Sequence, residues 1–101
     1  MNTGARIIEC KHEKICGIDV KCIKDEEKRY VEFKLPRLRH IDDNCRLTAF
    51  KNNRLYLYTG RRVVDLGKIT KTLSYREMAI LGIRETQAII NSLYAKNEVI
   101  I

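Results

Sequence analysis

The chain has 101 residues, of which 45% are hydrophobic, and its formal net charge is +7. This length predicts a single domain over residues 1–101 with one modest core, and it excludes a second domain. The longest nearly uninterrupted apolar run, Met78 to Ile83, is far below the ~20 residues of a membrane span, and the N-terminal segment lacks the apolar stretch of a signal peptide. We therefore expect a cytoplasmic protein that does not bind a membrane.

The positive charge is concentrated in the middle of the chain. Between Lys28 and Lys71 there are twelve lysines or arginines against four acids, whereas the part after Thr72 is balanced. A concentrated basic surface is typical of proteins that bind a polyanion such as nucleic acid. A second interpretation is a solvated face that keeps the protein soluble.

Alternating apolar and polar residues predict strands through the first two thirds of the chain. The second candidate alternates Ile18, Val20 and Cys22 against polar residues, which predicts that Cys22 lies on the inner face of a strand. The candidate strands are Arg6 to Cys10, Ile15 to Lys24, Tyr30 to Leu35, Arg46 to Phe50, Arg54 to Tyr58 and Arg61 to Leu66.

The four cysteines do not have the spacing of a structural zinc site. Cys10, Cys16 and Cys22 follow a C-x5-C-x5-C pattern, and Cys45 is distant from them. A zinc site of this kind usually needs two ligands on a tight knuckle such as C-x2-C. We therefore predict no bound metal and no cofactor.

A tight turn is predicted at Asn52-Asn53, because asparagine tolerates the positive φ that a two-residue type I′ hairpin loop requires. In that register Lys51 faces Arg54 across the hairpin. Two like charges directly opposite each other are destabilising, and a bound phosphate would relieve the repulsion. The hairpin is therefore a candidate phosphate-binding element.

The same register predicts that Tyr56 faces Ala49 and that Tyr58 faces Leu47. Exposed tyrosines next to arginines could stack on bases, as in proteins that bind single strands. Because Ala49 and Leu47 are apolar, the two tyrosines could equally cover an edge of the core. The sequence is compatible with both interpretations.

One helical region is predicted from Ser74 to Lys96. Ser74 is suited to be the N-cap, and Glu77 follows three residues later as in a capping box. Positions 75, 78, 79, 82, 86, 89 and 93 form a stripe of apolar or small residues, which favours one continuous amphipathic helix across a sheet.

A second interpretation divides this region at Gly82. The segment Leu73-Ser74-Tyr75-Arg76-Glu77-Met78-Ala79, followed by Leu81-Gly82-Ile83, resembles the start of a helix-turn-helix unit, as in the promoter-reading domains of sigma factors. The resemblance extends from Leu73 to Leu93. It implies that Arg84, Glu85 and Gln87 open a recognition helix that reaches base edges in DNA.

A further interpretation of the chain is an enzyme. The segments Gly17-Ile18-Asp19-Val20 and Tyr30-Val31-Glu32-Phe33-Lys34 are similar to the core of PD-(D/E)xK nucleases. This resemblance implies that Asp19 and Glu32 hold Mg²⁺ and that Lys34 helps to orient the attacking water. Strand parity predicts that all three side chains share one face with Tyr30, and that Val31 and Phe33 lie on the other face.

Together these features predict an α+β domain, with a mainly antiparallel sheet of about four or five strands and the C-terminal helical region packed against it. The leading hypothesis is a small basic protein that binds nucleic acid, DNA rather than RNA, and that could form a homodimer. The alternatives are a protein-interaction module that docks on an acidic partner, and the nuclease. The predicted nucleic-acid contacts are Lys51, Arg54, Tyr56, Tyr58, Arg61, Arg62, Lys68, Lys71, Arg84 and Gln87.

Overall fold

The computed structural model describes residues 6–35, 45–59 and 62–100, and the side chains of 93–100 are not considered. Within these ranges the chain forms six strands and then one helix, so the predicted α+β class is confirmed with more strands than expected. Each strand pairs antiparallel with the next in chain order. The elements are β1 (Ile7–Ile15), β2 (Ile18–Asp25), β3 (Lys28–Phe33), β4 (Cys45–Phe50), β5 (Arg54–Thr59), β6 (Arg62–Lys68) and α1 (Tyr75–Ile100).

The first hairpin differs from the prediction. The strand predicted to end at Cys10 continues to Ile15, and β2 begins after the two-residue turn Cys16-Gly17. Both turn residues have positive φ, 53° and 74°, which matches a tight hairpin of the primed type. Residues 7–14 of β1 are exposed on both faces at the edge of the sheet, so they have no apolar alternation to reveal a strand.

The core lies between one face of the sheet and α1. We call the face that contacts the helix the inner face and the opposite one the outer face. The inner face contributes fully buried side chains from the middle strands, including Val31, Leu47 and Leu57. Cys22 is also fully buried, as its alternation predicted, and burial raises the pKa of its thiol.

The helix is continuous through Gly82, so the favoured one-helix interpretation is confirmed and the break required by the helix-turn-helix alternative is not present. Gly82 lies against the sheet: a Cβ there would be 2.9 Å from Cε1 of Phe33 and 3.3 Å from Cβ of Leu47. The glycine therefore allows a close approach of helix and sheet rather than a turn.

The helix begins with the predicted capping box. The amide of Glu77 donates to Oγ of Ser74 at 3.1 Å, and the amide of Ser74 donates to Oε1 of Glu77 at 3.0 Å. Of the predicted stripe, positions 78, 79, 82 and 86 are buried against the sheet. In the described part of the chain, no helix has the length and hydropathy that a membrane span requires.

Candidate nucleic-acid interface

The hairpin between β4 and β5 has a three-residue loop, Lys51 to Asn53, so the predicted two-residue turn is wrong. The carbonyl of Phe50 accepts a hydrogen bond from the amide of Asn53 at 2.9 Å. Asn53 alone in the loop has positive φ, 65°, and Oδ1 of Asn52 accepts from the amide of Arg54 at 3.0 Å. The observed loop therefore contains one left-handed residue, Asn53, and is one residue longer than the predicted two-residue loop Asn52-Asn53.

That extra residue shifts the register by one and exchanges the two faces of β5. Tyr56 pairs with Thr48, and Tyr58 pairs with Arg46, instead of with Ala49 and Leu47. Because residues alternate between faces, both tyrosines lie on the outer face, opposite the helix. The interpretation that they cover the inner core with Leu47 and Ala49 is therefore wrong.

The predicted opposition of Lys51 and Arg54 is also wrong, since Lys51 lies exposed in the loop. Arg54 instead pairs with Lys68 across β5 and β6, so two cations do face each other. An internal acid relieves this repulsion: Nη2 of Arg54 donates to Oδ2 of Asp65 at 2.5 Å. The hydrogen bond from Arg54 lowers the pKa of Asp65, and the pair is ionised at neutral pH.

The centre of the outer face is a tyrosine stacked with a cation. The guanidinium of Arg46 lies 4.4 Å from the ring centroid of Tyr30, and Nζ of Lys28 lies 5.9 Å from the same centroid. Nη2 of Arg46 also donates to Oε1 of Glu32 at 2.7 Å, which fixes the guanidinium over the ring. Such cation–π contacts are worth ~0.5–1 kcal/mol where they are exposed.

A second aromatic group lies at the hairpin end of the same face. The rings of Phe50 and Tyr56 are 5.6 Å apart and nearly perpendicular, and the guanidinium of Arg54 lies 6.0 Å from the Tyr56 ring. Tyr58 and the exposed side chain of Val63 are paired across β5 and β6 and extend this apolar surface. All three rings are half-buried, so part of each remains open to a ligand.

Three acids of the outer face, Glu32, Asp65 and Asp25, form close ion pairs. Besides the pairs at Arg46 and Arg54, Nζ of Lys28 lies 2.9 Å from Oδ2 of the buried Asp25. Burial raises the pKa of Asp25, but the hydrogen bonds from Lys28 and two backbone amides outweigh it and lower the pKa overall. Lys21 and Lys68 have no ion pair with any residue in the described ranges, so they carry free positive charge on this face.

The other predicted contacts do not join this surface. Arg62 pairs with Thr59, which places it on the inner-face side of the sheet. Lys71 forms an ion pair of 2.9 Å with Glu77 at the start of the helix. Arg84 and Gln87 are exposed on the helix, on the opposite side of the molecule from the tyrosines. Arg61 lies outside the described residues.

The three nuclease candidates share the outer face, as strand parity predicted, and they line one shallow depression with Lys21 and His12. Their chemistry does not fit a magnesium site. Glu32 is held by Arg46, whereas the side chain of Asp19 is 94% exposed beside Lys14. Within the described ranges, no group of three or more metal-ligating side chains could hold a metal ion.

Sequence reasoning missed three members of the outer face, namely Tyr30, Arg46 and Phe50. Tyr30 was predicted to lie on the face of its strand opposite to Val31 and Phe33, and that orientation is confirmed. Whether Tyr30 shares a face with the hairpin tyrosines depends on the register of β4 with its two neighbouring strands. The alternation of Arg46 and Phe50 with buried residues is the signal that identifies them as neighbours of those rings.

A comparison of this chain with protein-family models, with curated proteins and with solved structures finds no match.

Proposed function

We propose that this protein binds single-stranded nucleic acid on the outer face of its sheet. The observation that carries the proposal is the row of half-buried rings at Tyr30, Tyr56 and Tyr58 beside Arg46 and Arg54. Stacking of a base on an aromatic ring is worth ~1–3 kcal/mol and requires an unpaired base, whereas the bases of a duplex are stacked on one another.

The phosphates lie along the face near Lys21 and Lys68, which are not engaged in ion pairs within the described residues. Tyr56 and Tyr58 are two residues apart on one strand, so their Cα atoms are about 6.7 Å apart. Two neighbouring bases of an extended strand can stack on such a pair. Arg46 and Arg54 hold the rings in place through contacts that already exist in the free protein.

The test is the affinity for oligonucleotides of Tyr56→Leu and Tyr56→Phe, followed by tyrosine fluorescence, since the chain has five tyrosines and no tryptophan. Leucine keeps the apolar volume but removes the ring, so we expect binding of single strands to weaken about 5- to 150-fold. Phenylalanine keeps the ring and the affinity. DNA and RNA oligomers and a duplex of the same sequence are compared in parallel.

The matched surface control is Arg84→Ala, because Arg84 is exposed on the helix, away from the tyrosines. It should leave the affinity within about twofold. If Arg84→Ala weakens binding and Tyr56→Leu does not, the nucleic acid contacts the helix instead. If single strands and duplex bind equally well to all variants, stacking on the outer face is refuted.

A protein partner is the second candidate, and the ion pairs of the outer face favour it. Because Arg46 and Arg54 are neutralised by Glu32 and Asp65, this surface is less basic than its sequence indicates. Tyrosine and arginine are also the residues enriched in protein-binding hot spots. This candidate predicts no appreciable oligonucleotide binding at about 0.15 M salt, where non-specific binders reach roughly 10⁻⁴–10⁻⁶ M.

A further inference from the structure

A cavity of about 200 Å³ opens at the hairpin end of the sheet, beside the tyrosine row, since Phe50 and Lys28 line it and also contact Tyr56 and Tyr30. It lies where the β2–β3 turn, the β4–β5 loop and the segment leading to α1 meet. Its charged lining consists of four cations and one acid, namely Lys24, Lys28, Arg29, Lys51 and Asp25.

The acid of this cavity is already neutralised. Oδ1 of Asp25 accepts hydrogen bonds from the amides of Glu27 and Lys28, both at 2.8 Å, and Oδ2 pairs with Nζ of Lys28 at 2.9 Å. This arrangement closes the turn between β2 and β3, and the charges of Lys28 and Asp25 cancel each other. Lys24, Arg29 and Lys51 remain without an acidic partner among the described residues.

Two of these cations are directly opposite each other. Lys24 pairs with Arg29 across β2 and β3. On the other side of Lys24, Glu9 of β1 is its register partner, but no ion pair forms between them. Like charges directly opposite each other repel, so an anion placed between the two side chains is attracted to both.

Arg29 is oriented before any ligand arrives. Its Nη2 donates to the carbonyl of Leu73, and its guanidinium lies 5.3 Å from the ring centroid of Tyr75. A guanidinium has five donors in a fixed plane and matches the geometry of phosphate oxygens. The single hydrogen bond to Leu73 leaves the other donors for a ligand.

We propose that this cavity binds a phosphoryl group, either the terminal phosphate of a nucleic acid strand or a small phosphomonoester. Its volume is smaller than the ≈ 300–1,000 Å³ of a site for a whole drug-sized ligand. It therefore accommodates the phosphoryl group and leaves the remainder of the ligand outside. The proposal does not require the outer face to bind bases.

The experiment follows backbone amide shifts of Arg29, Lys51 and Leu73 while inorganic phosphate is added at constant ionic strength, with chloride as the control salt. We expect saturable shifts at these amides. The double variant K24Q/K51Q should weaken phosphate binding roughly tenfold, since it removes two of the three cations of the cavity that have no acidic partner among the described residues. The matched control K21Q/K68Q removes the same charge from the outer face and should change the affinity less than about twofold.

A second arm compares oligothymidylates that carry a 5′-phosphate, a 3′-phosphate or hydroxyl ends. Tighter binding of one phosphorylated end, lost in K24Q/K51Q, identifies a strand terminus as the ligand. Saturable phosphate binding without that preference supports a small phosphomonoester instead. The proposal is overturned if phosphate shifts no cavity amide, or if K24Q/K51Q and K21Q/K68Q weaken phosphate binding equally. These outcomes are independent of the Tyr56 variants, which test the outer face.

Discussion

The two faces of the sheet are built from the same strands but are held together by different forces. On the inner face, Leu47 and Phe33 are buried against a helix that approaches closely at Gly82. On the outer face, the neighbouring residues Arg46 and Tyr30 form a stacked pair that remains half-exposed. Apolar packing stabilises one face, whereas cation–π contacts and ion pairs organise the other and leave its tyrosine rings half-exposed.

This difference implies that alternate residues of one strand have different roles. Successive residues of β4 and β5 alternate between stabilising the domain and presenting a surface. Substitutions on the inner face should therefore lower the free energy of unfolding, whereas substitutions on the outer face should change binding with little effect on stability.

The largest effect is expected at the contact between helix and inner face. Gly82→Val places a branched side chain where even a Cβ lies 2.9 Å from Phe33. We expect a loss of about 1–3 kcal/mol in the free energy of unfolding, although valine has the better helix propensity. For a domain of this size, each kcal/mol corresponds to a fall in Tm of roughly 4–8 °C.

Ala88→Val is the matched control, because Ala88 is exposed on the same helix. It should cost no more than about 0.7 kcal/mol, the difference in helix propensity. Urea unfolding monitored by circular dichroism measures both variants. Equal losses for the two would mean that the helix does not approach the sheet closely at Gly82.

A smaller effect is expected at the loop that decides which residues belong to each face. Asn53 has a φ of 65°, which costs an ordinary side chain about 1–2 kcal/mol, and asparagine tolerates it better than most. Asn53→Ala should therefore destabilise the protein by about 1 kcal/mol, whereas Asn53→Gly should leave its stability equal or slightly higher. The midpoint of urea unfolding is the measurement.

The neighbouring asparagine gives the contrast. Asn52 has no positive φ and contributes one exposed hydrogen bond to the amide of Arg54. Asn52→Ala should therefore cost less than Asn53→Ala. In the predicted type I′ turn both positions require positive φ, so equal losses at 52 and 53 would restore that register and return the tyrosines to the inner face.

Whether a feature of this molecule can be predicted from the sequence depends on how far apart in sequence the residues that determine it are. The capping box at Ser74, the inner position of Cys22 and the face of Tyr30 depend on residues close in sequence, and all three are confirmed. The face of Tyr56 depends on loop length, where one residue reverses the outcome. Local alternation cannot determine it.

The candidate site was harder to predict than the fold because its charges are paired across strands. Arg54 is close to Asp65 only after β5 and β6 pair, and Arg46 is close to Glu32 only after β3 and β4 pair. Counting charges along the chain therefore overestimated how basic the hairpin surface is. The extent of the row of rings was underestimated, because Tyr30 and Tyr56 are distant in sequence and share a face only through the pairing of both strands with β4.

The smallest effect on the free energy of unfolding is expected from the charge of Glu77, in the capping box of the helix that covers the inner face. Hydrogen bonds from Ser74 and Lys71 lower the pKa of Glu77 to about 2, whereas an unfolded glutamate titrates near ~4.3. A lowered folded pKa contributes stability that is fully present above the unfolded pKa and is lost as pH falls toward the folded one. Glu77→Gln keeps the capping-box geometry but removes this ionisation.

The difference in unfolding free energy between the natural protein and Glu77→Gln should therefore be largest above about pH 5 and should vanish as pH falls from ~4.3 toward 2. Urea unfolding at several pH values in this window measures it. Asp25, whose pKa is also lowered, is present in both proteins, so its contribution cancels from the difference. A difference that stays constant from pH 5 to about pH 2 would mean that the ionised carboxylate does not stabilise the helix start, and that apolar packing alone holds the helix on the inner face.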